Sequence, residues 1–229
     1  MLPFLVILQA MSQNVTFVKE LSMKLQISFD TLDLEKNLEV ARQVVQFADI
    51  LEIGSLPLLK HGVKAIEAFR KEFPKATILA DTNIVDAGRD SVSLVAQAGA
   101  DWISVMAGTT NEVIHGVCTK AHDLGKKVMI DILDASSPGQ AALEAKSLGA
   151  DALLFHQPSD FGNSLVFLDN WTMVRGNTDL PIFVSTRITK ETLYQVIALK
   201  PGGIVVGKAI CESEDPAAAA QFFYDACKR

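Results

Sequence analysis

Residues 76–106 read ATILADTNIVDAGRDSVSLVAQAGADWISVM and contain one complete strand–helix–strand unit. The apolar residues 76–80 predict a buried strand that ends at Asp81, and the pattern after Gly88 predicts a helix. The letters AGAD then predict a joint, because glycine readily adopts the left-handed conformation that ends many helices. A second strand, Trp102–Met106, follows directly. The unit has the size of one βα repeat, about 25 residues from strand to strand.

The same unit recurs along the rest of the chain. Apolar runs predict eight strands, whose ends fall near residues 30, 52, 81, 106, 131, 156, 185 and 206. Parallel strands that are buried on both faces explain why these runs are almost continuously apolar. The sequence therefore predicts a single (β/α)₈ TIM barrel. A doubly wound open sheet is the alternative, but it favours a GxGxxG turn after the first strand, where this chain has DTLD.

Residues 1–22 lie outside the repeating pattern. We therefore expect an N-terminal extension of unknown role, followed by one barrel domain over residues 23–229. The apolar stretch at residues 3–8 is much shorter than the roughly 20 residues that cross a membrane. No Lys or Arg precedes it, as a secretory signal would require.

Composition narrows the class of partner. The chain has 229 residues, of which 49% are hydrophobic, and a formal net charge of -6. This acidic balance argues against binding to nucleic acid or to an anionic membrane, because both need a basic patch. Cys118, Cys211 and Cys227 are odd in number and widely spaced, which predicts free thiols rather than disulfides or a zinc site. Free thiols are typical of a reducing compartment, so a cytoplasmic location is expected.

Acidic residues and one histidine follow the predicted strand ends, where barrel enzymes place their catalytic groups. They are Asp30, Glu52, Asp81, Asp86, Asp131 and His156. Carboxylates that converge on one rim repel one another and raise one another's pKa unless a cation lies among them. An oxygen-rich cluster without cysteine suits Mg²⁺ or Mn²⁺ better than zinc. The pattern therefore predicts a divalent-cation site.

Structural roles are the alternative for single members of this set. An Asp in a βα loop, such as Asp30 or Asp131, commonly caps the next helix. Glu52 is harder to explain in this way, because it lies inside the apolar run ILEI, where an unpartnered acid is costly. A lone histidine such as His156 can be a core residue, although its position at a strand end favours a site.

Glycines flank the predicted eighth strand. Gly202 and Gly203 precede it, and Gly207 follows it together with Lys208. Barrels of this kind usually hold phosphate after strands seven and eight, with backbone N–H groups and a helix N-terminus. Turn geometry alone is the alternative for the glycines, but the pairing of Gly207 with Lys208 favours a phosphate site.

Residues 80–88, ADTNIVDAG, resemble the DxKxxD signature of the orotidine-phosphate decarboxylase suprafamily. The resemblance extends from Met23 to the C-terminal helix and is most specific to the branch of 3-hexulose-6-phosphate synthase and 3-keto-L-gulonate-6-phosphate decarboxylase. Supporting segments are LQISFD (25–30), ILEIG (50–54), KVMID (127–131) and VVGKAI (205–210). An Asp rather than a Glu at position 131 is more similar to the synthase.

The resemblance implies a role for each matching residue. Glu52 and Asp81 would hold Mg²⁺, with Mn²⁺ as a substitute, and Asp30 would contact the hydroxyls of a phosphorylated ketose. Asp131 and His156 would line the substrate pocket. A second copy of the chain is also implied, since sites of this family form at a homodimer interface and Asp86 would reach into the partner's site.

The implied reaction is the reversible, Mg²⁺-dependent aldol addition of formaldehyde to D-ribulose 5-phosphate. Decarboxylation of 3-keto-L-gulonate 6-phosphate is one alternative. A catalytically weak or silent sugar-phosphate-binding protein is the other, because Asn83 stands where the motif has lysine, and an amide carries no positive charge. Two further departures concern phosphate: Lys208 replaces an arginine, and Ser185-Thr186-Arg187 replaces a glycine pair, so Arg187 would supply part of the lost contact.

Overall fold

The computed structural model describes residues 23–157 and 170–228. Eight parallel strands of this part of the chain pair in sequence order, and the first pairs with the last, which closes a barrel. The strands are β1 (Lys24–Phe29), β2 (Ile50–Ile53), β3 (Ile78–Ile84), β4 (Trp102–Met106), β5 (Lys127–Asp131), β6 (Ala152–His156), β7 (Ile182–Ser185) and β8 (Gly203–Val206). The predicted single (β/α)₈ barrel is therefore confirmed.

Helices follow the strands and cover the outside of the barrel. They are α1 (Leu34–Val44), α2 (Ser55–His61), α3 (Val63–Glu72), α4 (Gly88–Gln97), α5 (Asn111–Asp123), α6 (Pro138–Leu148), α7 (Trp171–Gly176), α8 (Leu193–Ile197), α9 (Lys208–Cys211) and α10 (Pro216–Cys227). A short 3₁₀ turn, Val45–Phe47, extends α1. None of the helices in the described ranges is both long enough and apolar enough to cross a membrane.

Local sequence sets the helix ends. The side chain of Asp33 accepts a hydrogen bond from the Lys36 N–H (3.1 Å) and so caps α1. At the other end of the chain, Asp215 caps α10 in the same way and Pro216 opens it. Gly149 ends α6 with a φ of 96°, a left-handed conformation that favours glycine. These signals are local, which is why the sequence predicts them well.

Two hydrophobic clusters hold the barrel together. The larger one packs the outward faces of the strands against the helices and includes the buried aromatic residues Phe29, Phe69 and Phe223. The smaller one fills the inside of the barrel and consists of Ile50, Leu79, Trp102, Met129, Ala152, Leu154, Phe183 and Val205. Because successive side chains on a strand point to opposite faces, the residues two positions after these also point inward.

Strand β3 differs most from the sequence prediction. We expect it to end at Asp81, but it continues to Ile84. Its pairing with β4 shifts register between Ala80 and Ile84, so the strand contains an irregular stretch over residues 81–83. The structure also adds a helix, α2, directly after β2, where the sequence pattern predicts none. The predicted extension, residues 1–22, lies outside the described residues.

Candidate active site

Polar side chains form a layer at the carboxyl-terminal end of the barrel interior. Six of the strands place a polar residue two positions after a member of the inner apolar cluster, and the alternation of the strands therefore points it inward. Together with Ser28 on β1, the layer consists of Glu52, Asp81, Ser104, Asp131, His156 and Ser185. We call these seven residues the polar rim. Four of the predicted site residues are thus brought together in it.

Glu52 is a buried acid of the polar rim, with 8% of its surface exposed. It accepts a hydrogen bond from Gln26 Nε2 and another from Ser28 Oγ (2.8 Å). Burial raises the pKa of Glu52 to about 7, and the charge of Asp81 contributes in the same direction. Its carboxylate is thus held in a fixed orientation while its charged form is disfavoured, which is the state that a cation would relieve.

Asp81 lies at the start of the irregular stretch of β3. It accepts hydrogen bonds from Ser104 Oγ (3.0 Å) and from Asn83 Nδ2 (3.3 Å). Burial raises the pKa of Asp81 to about 6, the Ser104 hydrogen bond opposes this rise, and the charge of Asp131 adds to it. Asn83, at the position of the motif lysine, therefore contacts the carboxylate as a neutral donor.

His156 and Asp131 form a hydrogen-bonded pair on neighbouring strands. The distance from His156 Nδ1 to Asp131 Oδ2 is 2.8 Å, and the other Asp131 oxygen accepts from the Leu133 N–H. Burial disfavours the imidazolium, but the hydrogen bond and charge of Asp131, together with Glu52, raise the pKa of His156. Asp131 is 1% exposed. In this structure it therefore lies behind the ring of His156, which is half-buried.

Asp30 is the acid at the end of β1. Its Oδ1 accepts a hydrogen bond from the backbone N–H of Leu56 (3.1 Å), in the first turn of α2. Gly54 makes room for this contact, because a Cβ there would clash with the Asp30 carboxylate. Burial raises the pKa of Asp30, whereas the Leu56 hydrogen bond and the charge of Lys208 oppose the rise. Asp30 thus caps α2, while Asp33 caps the helix that follows its own strand.

The remaining predicted site residues lie at the edge of the barrel mouth. Gly207 directly precedes α9, and Lys208 is the first residue of this helix. The side chain of Lys208 is exposed, but its positive charge is close enough to lower the pKa of Asp30. Arg187 is exposed just after β7. Asp86 is exposed on the loop between β3 and α4, where it accepts a hydrogen bond from the Ala87 N–H (2.7 Å). The structure therefore does not bring Asp86 into the polar rim of its own chain.

Whether these residues suit a metal ion is a question of donor chemistry. Within residues 23–157 and 170–228, no three His, Cys, Asp or Glu side chains are arranged to hold an ion by themselves. Mg²⁺, however, is commonly bound by one or two carboxylates and completed by water and substrate oxygens. Glu52 and Asp81 are two such carboxylates, and Asp81 is close enough to raise the pKa of Glu52. The pair fits Mg²⁺ of this open kind and does not fit a closed zinc site.

Three residues that support the carboxylates of this site were not predicted as functional: Gln26, Ser28 and Ser104. They hold the two carboxylates in place by hydrogen bonds. Their signal in the sequence is a polar residue inside an apolar strand, two positions from another inward-facing residue. The same signal identifies Glu52, but Ser and Gln give it more weakly because they are common in strands and loops.

Comparison with known proteins assigns this architecture to a class. The model of the family described as Orotidine 5'-phosphate decarboxylase / HUMPS family matches residues 23–223. The chain belongs to this family. Within it, the relatives place the chain in the branch of 3-hexulose-6-phosphate synthase and 3-keto-L-gulonate-6-phosphate decarboxylase, as the DxKxxD-like segment predicts.

Three similar proteins illustrate the relationship. The 3-hexulose-6-phosphate synthase of Methylomonas aminofaciens is 34% identical over 198 residues, which cover 85% of this chain and 94% of that protein. The crystal structure of the 3-hexulose-6-phosphate synthase from Salmonella typhimurium is 30% identical with a TM-score of 0.85, covering 90% of this chain and 98% of that one. The 3-keto-L-gulonate-6-phosphate decarboxylase from Vibrio cholerae O1 biovar El Tor str. N16961 is 25% identical with a TM-score of 0.76, at 90% and 98% coverage.

Proposed function

We propose that this protein is a 3-hexulose-6-phosphate synthase-like lyase that catalyses the reversible aldol addition of formaldehyde to D-ribulose 5-phosphate, with Mg²⁺ as cofactor. The observation that carries the proposal is the polar rim, in which Glu52 and Asp81 share one interior with the His156–Asp131 pair. Relatives named 3-hexulose-6-phosphate synthase, at 34% and 30% identity, support the same activity.

Glu52 and Asp81 would hold the ion in this proposal. When bound, Mg²⁺ supplies positive charge where negative charge develops on the substrate oxygens. The hydrogen bonds from Gln26, Ser28 and Ser104 fix the two carboxylates before substrate arrives, so little reorganisation is needed during the reaction. Mn²⁺ would substitute, because it accepts the same oxygen ligands.

His156 is the group that we propose moves a proton. Asp131 accepts the hydrogen bond of Nδ1–H, which fixes the tautomer and leaves Nε2 to exchange a proton with the substrate. The raised pKa of His156 keeps a larger fraction of the ring protonated near neutral pH, as a proton donor requires. Asp131 would act through His156 rather than by direct contact with the ketose.

The phosphate group of the ketose would bind at the mouth edge formed by Gly207, Lys208 and Arg187. A positive charge beside a glycine at the start of a helix suits a phosphate. Lys208 also lowers the pKa of Asp30, which sets the phosphate end of the site next to the carboxylate proposed to contact sugar hydroxyls. A ketose phosphate would thus extend from this edge towards Glu52 and Asp81.

We propose a homodimer in which Asp86 serves the partner's site. Asp86 is exposed, and so are apolar side chains on α2, on the loop that carries Asp86 and on α4: Leu59 by 82%, Val85 by 57% and Leu94 by 56%. Leu59 also lines a cavity of about 410 Å³ between α2, α3 and β3. Mixing an Asp86→Ala protein with a Glu52→Gln protein should therefore restore activity, because one heterodimer site is intact. No recovery after subunit exchange would contradict the shared site.

The location that we propose is the cytoplasm. It suits Cys118, Cys211 and Cys227, which are all free and buried, and burial raises the pKa of each thiol to about 12. Buried thiols of this kind are structural and unreactive.

The test is purified protein with ribulose 5-phosphate and formaldehyde, in Mg²⁺ and in chelator. We expect the protein to form hexulose 6-phosphate in Mg²⁺. This activity should be absent in chelator and in the Asp81→Asn protein. Asp123→Asn, which changes an exposed acid at the end of α5, is the matched control and should retain activity.

Release of CO₂ from 3-keto-L-gulonate 6-phosphate instead would favour the decarboxylase. Ribulose 5-phosphate binding without either reaction would favour the silent protein that Asn83 suggests.

A further inference from the structure

The irregular stretch of β3 has a specific partner on β4. Ala80 pairs with Ile103 and Ile84 pairs with Val105, so three residues of β3, residues 81–83, face a single residue of β4. That residue is Ser104, which is 1% exposed. A bulge of this kind leaves backbone groups without their usual ladder partners and redirects side chains.

Ser104 supplies a partner for one backbone group of the bulge and for two of its side chains. Its Oγ accepts a hydrogen bond from the backbone N–H of Asn83 (3.0 Å) and donates one to Asp81 Oδ1 (3.0 Å). Its carbonyl oxygen accepts from Thr82 Oγ1 (2.7 Å). One residue thus contacts all three residues of the bulge. A hydroxyl can do this because it donates one hydrogen bond and accepts others at the same time.

The backbone at the bulge needs such support. Asn83 has a φ of 47°, in the left-handed region, which is strained for most residues but which asparagine tolerates better. The hydrogen bond from its N–H to Ser104 Oγ holds this conformation, and the same conformation lets Asn83 Nδ2 reach Asp81. The orientation of the Asp81 carboxylate therefore depends on Ser104 directly and through Asn83.

We propose that Ser104 is the positioning residue of this site, which fixes the β3 bulge so that Asp81 and Asn83 face the substrate end of the barrel. The inference rests on the proposed function for its catalytic consequence, whereas its geometric part stands on the bulge alone. Removal of a hydrogen bond to a metal-binding carboxylate typically lowers metal affinity or activity about 10–100-fold.

The test compares Ser104→Ala with Ser104→Thr, which keeps the hydroxyl, and with Ser147→Ala, which removes an exposed hydroxyl on α6. Ser104→Cys is a further variant that nearly preserves side-chain volume, although a thiol is a weak donor and acceptor. Amide hydrogen exchange at Asn83, followed by NMR, should accelerate at least about fivefold in Ser104→Ala, the equivalent of one ordinary hydrogen bond. Ser104→Thr and Ser147→Ala should retain the parent's rate.

Activity and metal binding give the second measurement. In Ser104→Ala, kcat and the affinity for Mn²⁺ should each fall about 10–100-fold, while KM for ribulose 5-phosphate changes much less, and Ser104→Thr should restore both. Parent-like exchange at Asn83 in Ser104→Ala, or in Ser104→Cys if the alanine variant does not fold, would overturn the proposal. So would accelerated exchange with kcat and Mn²⁺ affinity within twofold of the parent. A parent protein without turnover would refute the proposed function, and exchange at Asn83 would then decide the role of Ser104 alone.

Discussion

The inside of the barrel contains two adjacent regions with opposite chemistry. The inner apolar cluster, which includes Leu79 and Met129, consists of buried hydrophobic side chains. Two residues further along the same strands lie Asp81 and Asp131 of the polar rim. The same strands carry both regions, so the difference lies mainly in the side chains and, on β3, in the irregular pairing at residues 81–83.

This difference separates stability from function. Burial of apolar side chains stabilises the folded state, because it removes their surface from water. Burial of Glu52 and Asp81 does the reverse, since it raises their pKa values to about 7 and about 6 and so disfavours the charged forms. The polar rim therefore destabilises the folded state locally, and the apolar cluster offsets this cost. Substitutions that remove a buried side chain from the cluster should lower stability, whereas substitutions that remove a buried charge from the polar rim should raise it.

The largest effect on stability is expected from Leu79→Ala in the inner apolar cluster. Leu79 is 2% exposed, and removal of its side chain leaves a cavity in a packed interior. Such substitutions cost about 2–5 kcal/mol in the free energy of unfolding. Chemical denaturation measures this loss. A change below about 1 kcal/mol would mean that the barrel interior is not the packed core described above.

Glu52→Gln, in the polar rim, should raise stability and lower activity. Its lyase activity should fall about 10²–10³-fold, as for loss of one preorganised electrostatic group. Its stability at pH 8 in chelator should exceed that of the parent by about 1–3 kcal/mol, or several degrees in Tm. Gln26 Oε1 has no hydrogen-bond partner among the described residues, so it can accept from the new amide once the side-chain amide of Gln26 turns over.

The pH dependence of this gain follows from the direction of the shift. The pKa of Glu52 is higher in the folded protein than in the unfolded chain, so the folded state binds the proton more tightly. The parent therefore loses stability as pH rises from about 4.5 to about 7, whereas Glu52→Gln lacks this loss. Equal stability of the two proteins at pH 4 and pH 8 would contradict the raised pKa.

Lys208→Ala tests the proposed phosphate site at the edge of the barrel mouth, outside the polar rim, where exposed side chains carry positive charge. It should weaken ribulose 5-phosphate binding by about 1–3 kcal/mol, the usual contribution of a charge-assisted hydrogen bond. Calorimetric titration measures the affinity, and Lys146→Ala on the exposed face of α6 is the matched control. If Lys208→Ala binds the phosphorylated sugar as tightly as the parent, the phosphate does not lie at this edge.

Asn83→Lys should give the smallest change in activity, because the barrel interior must accommodate the longer lysine side chain. A lysine ammonium would compensate the charges of Glu52 and Asp81, and we expect synthase turnover to rise at least about tenfold. The left-handed backbone at this position opposes the substitution, so Tm must be measured alongside kcat. A parent that already turns over at about 10 per second would show that the missing charge does not limit the reaction.

The sequence predicts the barrel well and the site in part. Strand ends are predictable because apolar runs stop where the chain leaves the sheet, and Glu52 is visible as a charge inside such a run. The end of β3 is not predictable in the same way, since the bulge depends on Ser104, more than twenty residues away. The contact between Asp131 and His156 likewise arises only when β5 pairs with β6. The roles of Asp86, Arg187 and the metal remain predictions.

Our central proposal is that Glu52 and Asp81 of the polar rim bind a divalent cation. Titration of the parent and of Glu52→Gln with Mn²⁺ at pH 7, each with ribulose 5-phosphate present, tests it most directly. We predict one ion per chain in the parent, with release of protons because the pKa of Glu52 lies near 7, and binding at least about tenfold weaker in Glu52→Gln. Equal affinity in the two proteins, or no binding to the parent, would contradict the claim.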